Sequence, residues 1–206
     1  MDELPPRLFV TGTDTGVGKT LLSAILMAGS AATYWKPVQS GEPGDTDWVR
    51  QATGLPGGRF APETYRFSHP LSPHAAAALA GVEIELEAFR PPPAPRLIAE
   101  GAGGVLVPLN GQDLMVDLMA HLALPVLLVA RSGLGTINHT LLSLEALRRR
   151  QLEVLGVVVN GALNPANEEA ISRYGQVRVL AAVEPLPRLD LAGLRAAHER
   201  YFGGRE

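Results

Sequence analysis

The sequence predicts a three-layer α/β fold, a mainly parallel central sheet flanked by helices, and three observations carry that reading. Short apolar runs rich in β-branched residues recur along the chain, and continuous apolar runs mean strands buried on both faces. Amphipathic helical patterns alternate with them, the order that crossover-connected parallel strands require. The first apolar run enters a glycine-bearing loop, Gly12 to Thr20, and then an apolar helix, which is the setting of a phosphate-binding loop.

Taken in order, strands are expected at Leu8 to Val10, Tyr34 to Val38, Leu97 to Ala99, Val126 to Ala130, Val154 to Val159 and Val177 to Val183. Helices are expected at Lys19 to Ala32, Gln112 to Leu122, Thr136 to Arg149, Pro165 to Tyr174 and Leu189 to Phe202. Residues 42 to 95 interrupt the alternation with many Gly and Pro residues and end in Pro91-Pro92-Pro93-Ala94-Pro95. They read as an excursion holding short helices, including Ala75 to Ala80, within one domain spanning residues 1 to 206.

Composition narrows the function classes. At 206 residues and 46% hydrophobic content the chain has enough apolar side chain for one sizeable core. A net charge of −3 provides no basic stripe, and Arg148-Arg149-Arg150 reads as cations complementing a helix C-terminus, so nucleic acid is not an expected partner. The absence of cysteine excludes disulfides, thiolate metal sites and a cysteine nucleophile. No apolar run reaches the ~18 residues of a membrane span and the start lacks a signal pattern, so no membrane partner and a cytoplasmic setting are expected. The histidines His69, His74, His121, His139 and His198 are scattered without ligand spacing and read as neither metal site nor general base.

In the loop, backbone N–H groups and the start of the next helix would face a β-phosphate, Lys19 would reach the β/γ-phosphates and Thr20 would hold Mg²⁺. The usual pattern has a glycine six residues before the lysine; that position is Thr13, and the glycine, Gly12, lies one residue earlier. The loop is thus a variant of the P-loop NTPase-like type.

In such folds ligands gather at the carboxyl ends of strands. Lys36 and Ser40 follow the second strand as a cation and a hydroxyl for an anionic reactant. Glu100, at the end of an apolar strand before Gly101-Ala102-Gly103-Gly104, stands where phosphate-loop enzymes place a Mg²⁺ ligand. Asp45 and Asp47 offer a further carboxylate, with Asp45 equally suited to capping a short helix. The turn from Gly133 to Thr140 exposes first-turn N–H groups at Thr136, Ile137 and Asn138, although simple capping by Thr136 or Asn138 is the plainer reading of those residues alone. Asn160-Gly161 and Glu184-Pro185-Leu186-Pro187 close two later strands; the Asn160 amide suits a purine edge, and an Asn-Gly turn is the alternative.

The segments GTDTGVGKT, YWKPVQSG, GDTDW, EGAGGVLVPL, GLGTINH, VVVNG and EPLP resemble dethiobiotin synthetase in order and spacing across nearly the whole chain. That resemblance implies an ATP- and Mg²⁺-dependent cyclo-ligase of biotin synthesis that closes diaminopelargonate and CO₂ into the cyclic urea of dethiobiotin. It implies a homodimer with the substrate at the subunit interface. Carried over by motif, Lys19 and Lys36 would neutralise phosphate and carbamate, and Thr15 and Ser40 would bond the reacting end of the substrate. Thr20, Asp47 and Glu100 would hold Mg²⁺, with Asp47 preferred to Asp45 for its position after Thr46. Gly16, Val17, Gly18, Lys19, Thr20 and Leu21 would wrap the phosphates, with Gly101, Ala102 and Gly103 beside the nucleotide. Asn160 and Gly161 would meet adenine, and Pro185, Leu186 and Pro187 would line the nucleoside. Gly135, Thr136, Ile137 and Asn138 would reach the substrate carboxylate of the partner subunit. Trp35 stands where that family has a tyrosine, with its side chain on the face opposite the lysine's. Partitioning ATPases with similar loops carry an additional lysine near the loop start, and the corresponding residue here is Asp14.

Overall fold

A computed structural model describes residues 4–203. The elements run β1 (Arg7–Gly12), α1 (Lys19–Gly29), β2 (Thr33–Trp35), β3 (Val38–Ser40), α2 (Asp45–Thr53), β4 (Phe60–Ala61), β5 (Tyr65–Phe67) and α3 (Pro73–Leu79). They continue β6 (Leu97–Glu100), α4 (Met115–Leu122), β7 (Val126–Arg131), α5 (Thr136–Arg149), β8 (Val154–Asn160), α6 (Pro165–Gly175), β9 (Val179–Val183) and α7 (Leu191–Phe202). Seven strands form one sheet in the order β4-β2-β6-β1-β7-β8-β9, with every pairing parallel.

The three layers follow from strands that are apolar on both faces. On β1, Phe9 and Val10 are both fully buried, but in different clusters. Phe9 faces the core made with α3, α4, α5 and α6, and Val10 the core made with α1, α2 and α7. The chain crosses from β6 to β7 over β1, so the sheet has its switch point at the carboxyl ends of β1, β6 and β7, where a crevice for a ligand forms.

The run from Tyr34 to Val38, expected as one strand, is two. Pro37 has no N–H to give to a sheet, and the chain turns there. Tyr34 and Trp35 stay in the main sheet beside β6, while β3 pairs with β5 in a separate two-stranded parallel sheet. Lys36 therefore sits at the break between two sheets. The 42–95 excursion is not only helical, for it supplies β4, which extends the main sheet, and β5.

Helix ends also differ from expectation for local reasons. The first helix stops at Gly29, because Ser30 is extended and its hydroxyl donates to the Leu26 carbonyl at 2.7 Å. The expected start at Gln112 moves to Met115. There Asn110 Oδ1 accepts the N–H groups of Gln112 and Asp113, holding them in a side-chain-bonded turn, and Asp117 Oδ2 accepts from the Leu114 N–H at 2.9 Å.

Candidate active site

Between β1 and α1 the loop folds tightly on itself. A side chain at Gly12 would put its Cβ 2.7 Å from Val17 Cγ2 and 3.2 Å from Lys19 Cδ, so the glycine at the strand end is what allows the loop to close. The apparently displaced glycine of the motif thus has a steric role of its own. At Gly18 the backbone has φ +105°, and a Cβ there would lie 2.3 Å from Asn160 Nδ2. Thr15 and Gly16 are exposed at the loop's tip, Val17 is buried, and Leu21 packs on the α1-side core.

Lys19 is nearly buried, and its Nζ donates to the Asp14 carbonyl at 2.9 Å. Burial, followed by repulsion from Lys36, brings its pKa down from 10.5 to about 8. Asp14 is committed to the loop as well: Oδ1 accepts from the Thr15 N–H at 2.7 Å, and Oδ2 pairs with Arg131 at the end of β7 at 2.8 Å.

Next to this loop lies a buried charged cluster. Glu100, fully buried at the end of β6, accepts from Thr20 Oγ1 at 2.9 Å and Lys36 Nζ at 3.2 Å through Oε1, and from Tyr34 Oη at 3.0 Å through Oε2. Lys36 Nζ also donates to the Gly101 carbonyl at 2.8 Å and lies 2.5 Å from Asp45 Oδ2. Burial would lower the Lys36 pKa, but the charges of Glu100 and Asp45 outweigh it and raise it. Burial would raise the Asp45 carboxyl, yet the Lys36 charge, helped by Thr20 and Lys19, holds it below the usual carboxylate range.

The structure brings Asp45, and not Asp47, to this cluster. Asp45 is the first residue of α2; two residues later on the helix Asp47 points elsewhere and pairs with Arg66 at 2.6 Å and Arg50 at 3.7 Å. The preference for Asp47 is therefore corrected: a helix places side chains at i and i+2 on different faces.

Thr20, Asp45 and Glu100 form an all-oxygen donor set. No group of three or more His, Cys, Asp or Glu side chains able to hold a metal occurs among the described residues. Two carboxylates and a hydroxyl suit Mg²⁺, which keeps waters and nucleotide oxygens in its shell and does not need an all-protein cage.

The other expected residues surround the crevice. Ser40 Oγ is buried with no hydrogen-bond partner, as is Thr136 Oγ1. Gly101 N–H donates to the Val10 carbonyl, and a Cβ at Gly104 would lie 3.2 Å from the Thr13 carbonyl, so the segment holding Ala102 and Gly103 runs against the phosphate loop. Asn160, in register with Arg131, uses Nδ2 to bond the Val17 carbonyl at 3.0 Å, while Gly161 N–H donates to the Val183 carbonyl. Beyond β9, Leu186, between Pro185 and Pro187, packs on the α1-side core. Gly135, at φ +88°, precedes α5; Ile137 packs on the core, and Asn138 is exposed. Leu134, immediately before, is wholly exposed.

Sequence reasoning did not reach Tyr34 or Gln39. Tyr34 lies inside an apolar strand where a hydroxyl signals nothing by itself, and Gln39 bonds the α2 N-terminus only because the chain turns back from β3.

Comparison with known proteins bears on the family and the fold. A family model described as an AAA domain matches residues 6–192. The ATP-dependent dethiobiotin synthetase BioD of Paramagnetospirillum magneticum is 52% identical over 186 residues, 90% of this chain and 91% of the relative. The protein of that name from Rhodopseudomonas palustris is 47% identical over 203 residues, 97% and 96% of the two chains. A solved ParA family ATPase from Chlorobium tepidum superposes with a TM-score of 0.55 over 96% of this chain and 91% of its own, at 12% identity, a likeness of fold alone. With near-complete coverage at about half identity, the chain belongs to the dethiobiotin synthetase family.

Proposed function

We propose that this enzyme uses ATP and Mg²⁺ to close diaminopelargonate and CO₂ into dethiobiotin. The observation that carries the reading is the buried Lys36 ammonium beside the phosphate loop, facing Asp45 and Glu100. ATP hydrolysis alone needs no second buried lysine at this place; joining two anions does.

One amine of the substrate adds to CO₂ and loses a proton, giving a carbamate. Its carbon is a poor electrophile, because an anionic oxygen donates into it. Transfer of the γ-phosphoryl group to a carbamate oxygen releases ADP and yields a carbamic-phosphoric anhydride. The second amine attacks the carbon, expels phosphate and loses a proton, leaving the cyclic urea. Carbamate and triphosphate repel each other, so the main task is to place cations between them. Lys19 holds the β/γ end of the nucleotide and Lys36 the carbamate, while Thr15 and the unpartnered Ser40 hydroxyl bond the reacting end of the diamine. Thr20, Asp45 and Glu100 would hold Mg²⁺, and the ion would supply positive charge against the phosphate oxygens during phosphoryl transfer. Gly16 to Leu21 wrap the phosphates, Asn160 meets adenine, and Pro185 to Pro187 line the nucleoside.

The reading extends to a homodimer. Leu134 exposes a full apolar side chain beside Gly135 to Asn138, and a second copy covering it would bring those first-turn N–H groups to the partner's substrate carboxylate. No helix among the described residues is long and apolar enough to cross a membrane.

The test is purified protein with Mg-ATP, bicarbonate and diaminopelargonate. ADP, phosphate and a product heavier than the diamine by CO₂ less water are expected by mass spectrometry. ATP hydrolysis indifferent to the diamine would remove the ligase reading.

A further inference from the structure

Asp45 owes its place to a helix with no cap of its own. Gly44, the residue before α2, has no side chain to accept the first helical N–H groups, which a helix start leaves unsatisfied. The acceptor comes from β3. Gln39 Oε1 takes the Asp45 N–H at 3.0 Å, and Gln39 Nε2 donates to the carbonyls of Ser40 and Gly41, each at 3.1 Å. With both ends of its amide bonded, Gln39 fixes the backbone of Asp45 relative to the strand that also carries Ser40.

Arg66 stands next to it: Gln39 and Arg66 are register partners in the β3–β5 pair. The Arg66 guanidinium bonds both carboxylate oxygens of Glu42, at 3.1 and 2.9 Å, and reaches Asp47 Oδ2 at 2.6 Å, so it grips the chain on either side of Asp45. Glu63, 3.5 Å from Arg66 Nη1, accepts from Thr46 Oγ1 at 2.5 Å. A Cβ on Gly44 would lie 3.1 Å from Arg66 Nη2, so the guanidinium lies directly over the helix start.

We propose that Gln39 and Arg66 are positioning residues that hold Asp45 toward the Mg²⁺ site, Gln39 through the helix-start N–H and Arg66 by clamping the residues flanking it. Neither touches the reacting atoms. The proposal rests on Asp45 being a metal ligand, and its test separates the two ideas. A partly exposed Arg66 pair would add little to overall stability, so its effect belongs to metal affinity.

The probe is Mn²⁺, with free ion followed by electron paramagnetic resonance in the presence of a non-hydrolysable ATP analogue. Arg66→Ala and Gln39→Ala are expected to weaken Mn²⁺ binding about tenfold each, with Arg66→Lys recovering part of the loss. Affinity for the analogue in EDTA should stay within about twofold, which shows an intact phosphate loop. Asp45→Asn should weaken Mn²⁺ at least as much, and adding Arg66→Ala to it should cost less than about a further twofold, because the clamp then has nothing to position. If Gln39→Ala does not fold, the Arg66 and Asp45 cycle decides alone. A full extra loss from Arg66→Ala in the Asp45→Asn background overturns the proposal. So does unchanged Mn²⁺ affinity in Arg66→Ala where Asp45→Asn weakens it. Unchanged binding in Asp45→Asn removes the ligand reading itself, and the clamp with it.

Discussion

Tyr34 Oη donates to Glu100 Oε2 at 3.0 Å inside a fully buried pocket, while the other oxygen of the same carboxylate faces Thr20 and Lys36. Burial, followed by the Glu100 charge, raises the Tyr34 pKa well above its ordinary value, so the phenol remains a donor throughout the working range. The hydroxyl fixes the carboxylate plane and leaves Oε1 directed at the phosphate loop. Tyr34→Phe should lower unfolding free energy by about 1.5 kcal/mol, read from the urea midpoint at unchanged slope. It should also lower kcat at subsaturating Mg²⁺ more than at saturating Mg²⁺. A loss independent of Mg²⁺ would mean that Tyr34 supports the core alone.

Asp45 and Asp47 differ by two residues and by the face they occupy. Asp45→Asn leaves Lys36 with one carboxylate and removes an anionic oxygen from the proposed metal set, so kcat should fall about 100-fold. Asp47 meets only exposed arginines, and Asp47→Asn should cost less than about fivefold in kcat. Steady-state kinetics of the two variants at equal Mg²⁺ checks the assignment, and equal losses would contradict it.

Lys36 neutralises two carboxylates, one of them wholly buried. Its truncation leaves Glu100 and Asp45 facing each other, which should cost about 3 kcal/mol of stability when no cation replaces it. Lys36→Ala should therefore bind ATP, lose ring closure by about 10³-fold, and gain more thermal stability from added Mg²⁺ than the parent does. Differential scanning fluorimetry with and without Mg²⁺, beside the product assay, reads both effects. Undiminished turnover would refute the carbamate role.

If Leu134 lies in a subunit interface, a charge there opposes association. Leu134→Glu should shift sedimentation toward the monomer and raise KM for the diamine at least about fivefold, with ATP affinity unchanged. A parent protein that sediments as a monomer at assay concentration would exclude the shared site.

The parallel sheet with helices on both faces and the phosphate loop were legible because their causes are local: apolar runs covered on both faces, and Gly12, Gly18, Lys19 and Thr20 within one nine-residue stretch. Glu100 was legible for the same reason, as a charge ending an apolar strand. Asp45 was not, since a nine-residue helix with carboxylates at its first and third positions gives no sign of which face meets the crevice. The break at Pro37 was signalled by the proline but hidden by apolar residues on both sides. Tyr34 and Gln39 acquire their meaning from partners 66 and 6 residues away, which no local pattern encodes.

Lys19 ties the site to pH. Its ammonium has a pKa of about 8 in the ligand-free protein, against 10.5 for an exposed lysine, chiefly through burial and then through Lys36. Below about pH 8 the charge is already present, and this group gives ATP affinity no pH dependence. Above it the free enzyme has lost the proton that the triphosphate requires, so binding must take one up, and affinity should fall toward tenfold per pH unit. Folding alone has the opposite sign. Between about pH 8 and 10.5 the unfolded chain carries more protons at this residue, so its contribution to the stability of the ATP-free protein rises with pH. Isothermal titration in buffers of different ionisation enthalpy should show proton uptake near zero at pH 7 and approaching one at pH 9. Lys19→Arg keeps its charge throughout and should flatten the profile. An affinity independent of pH up to 9 in the parent would mean that Lys19 is not the group whose charge the phosphate loop depends on.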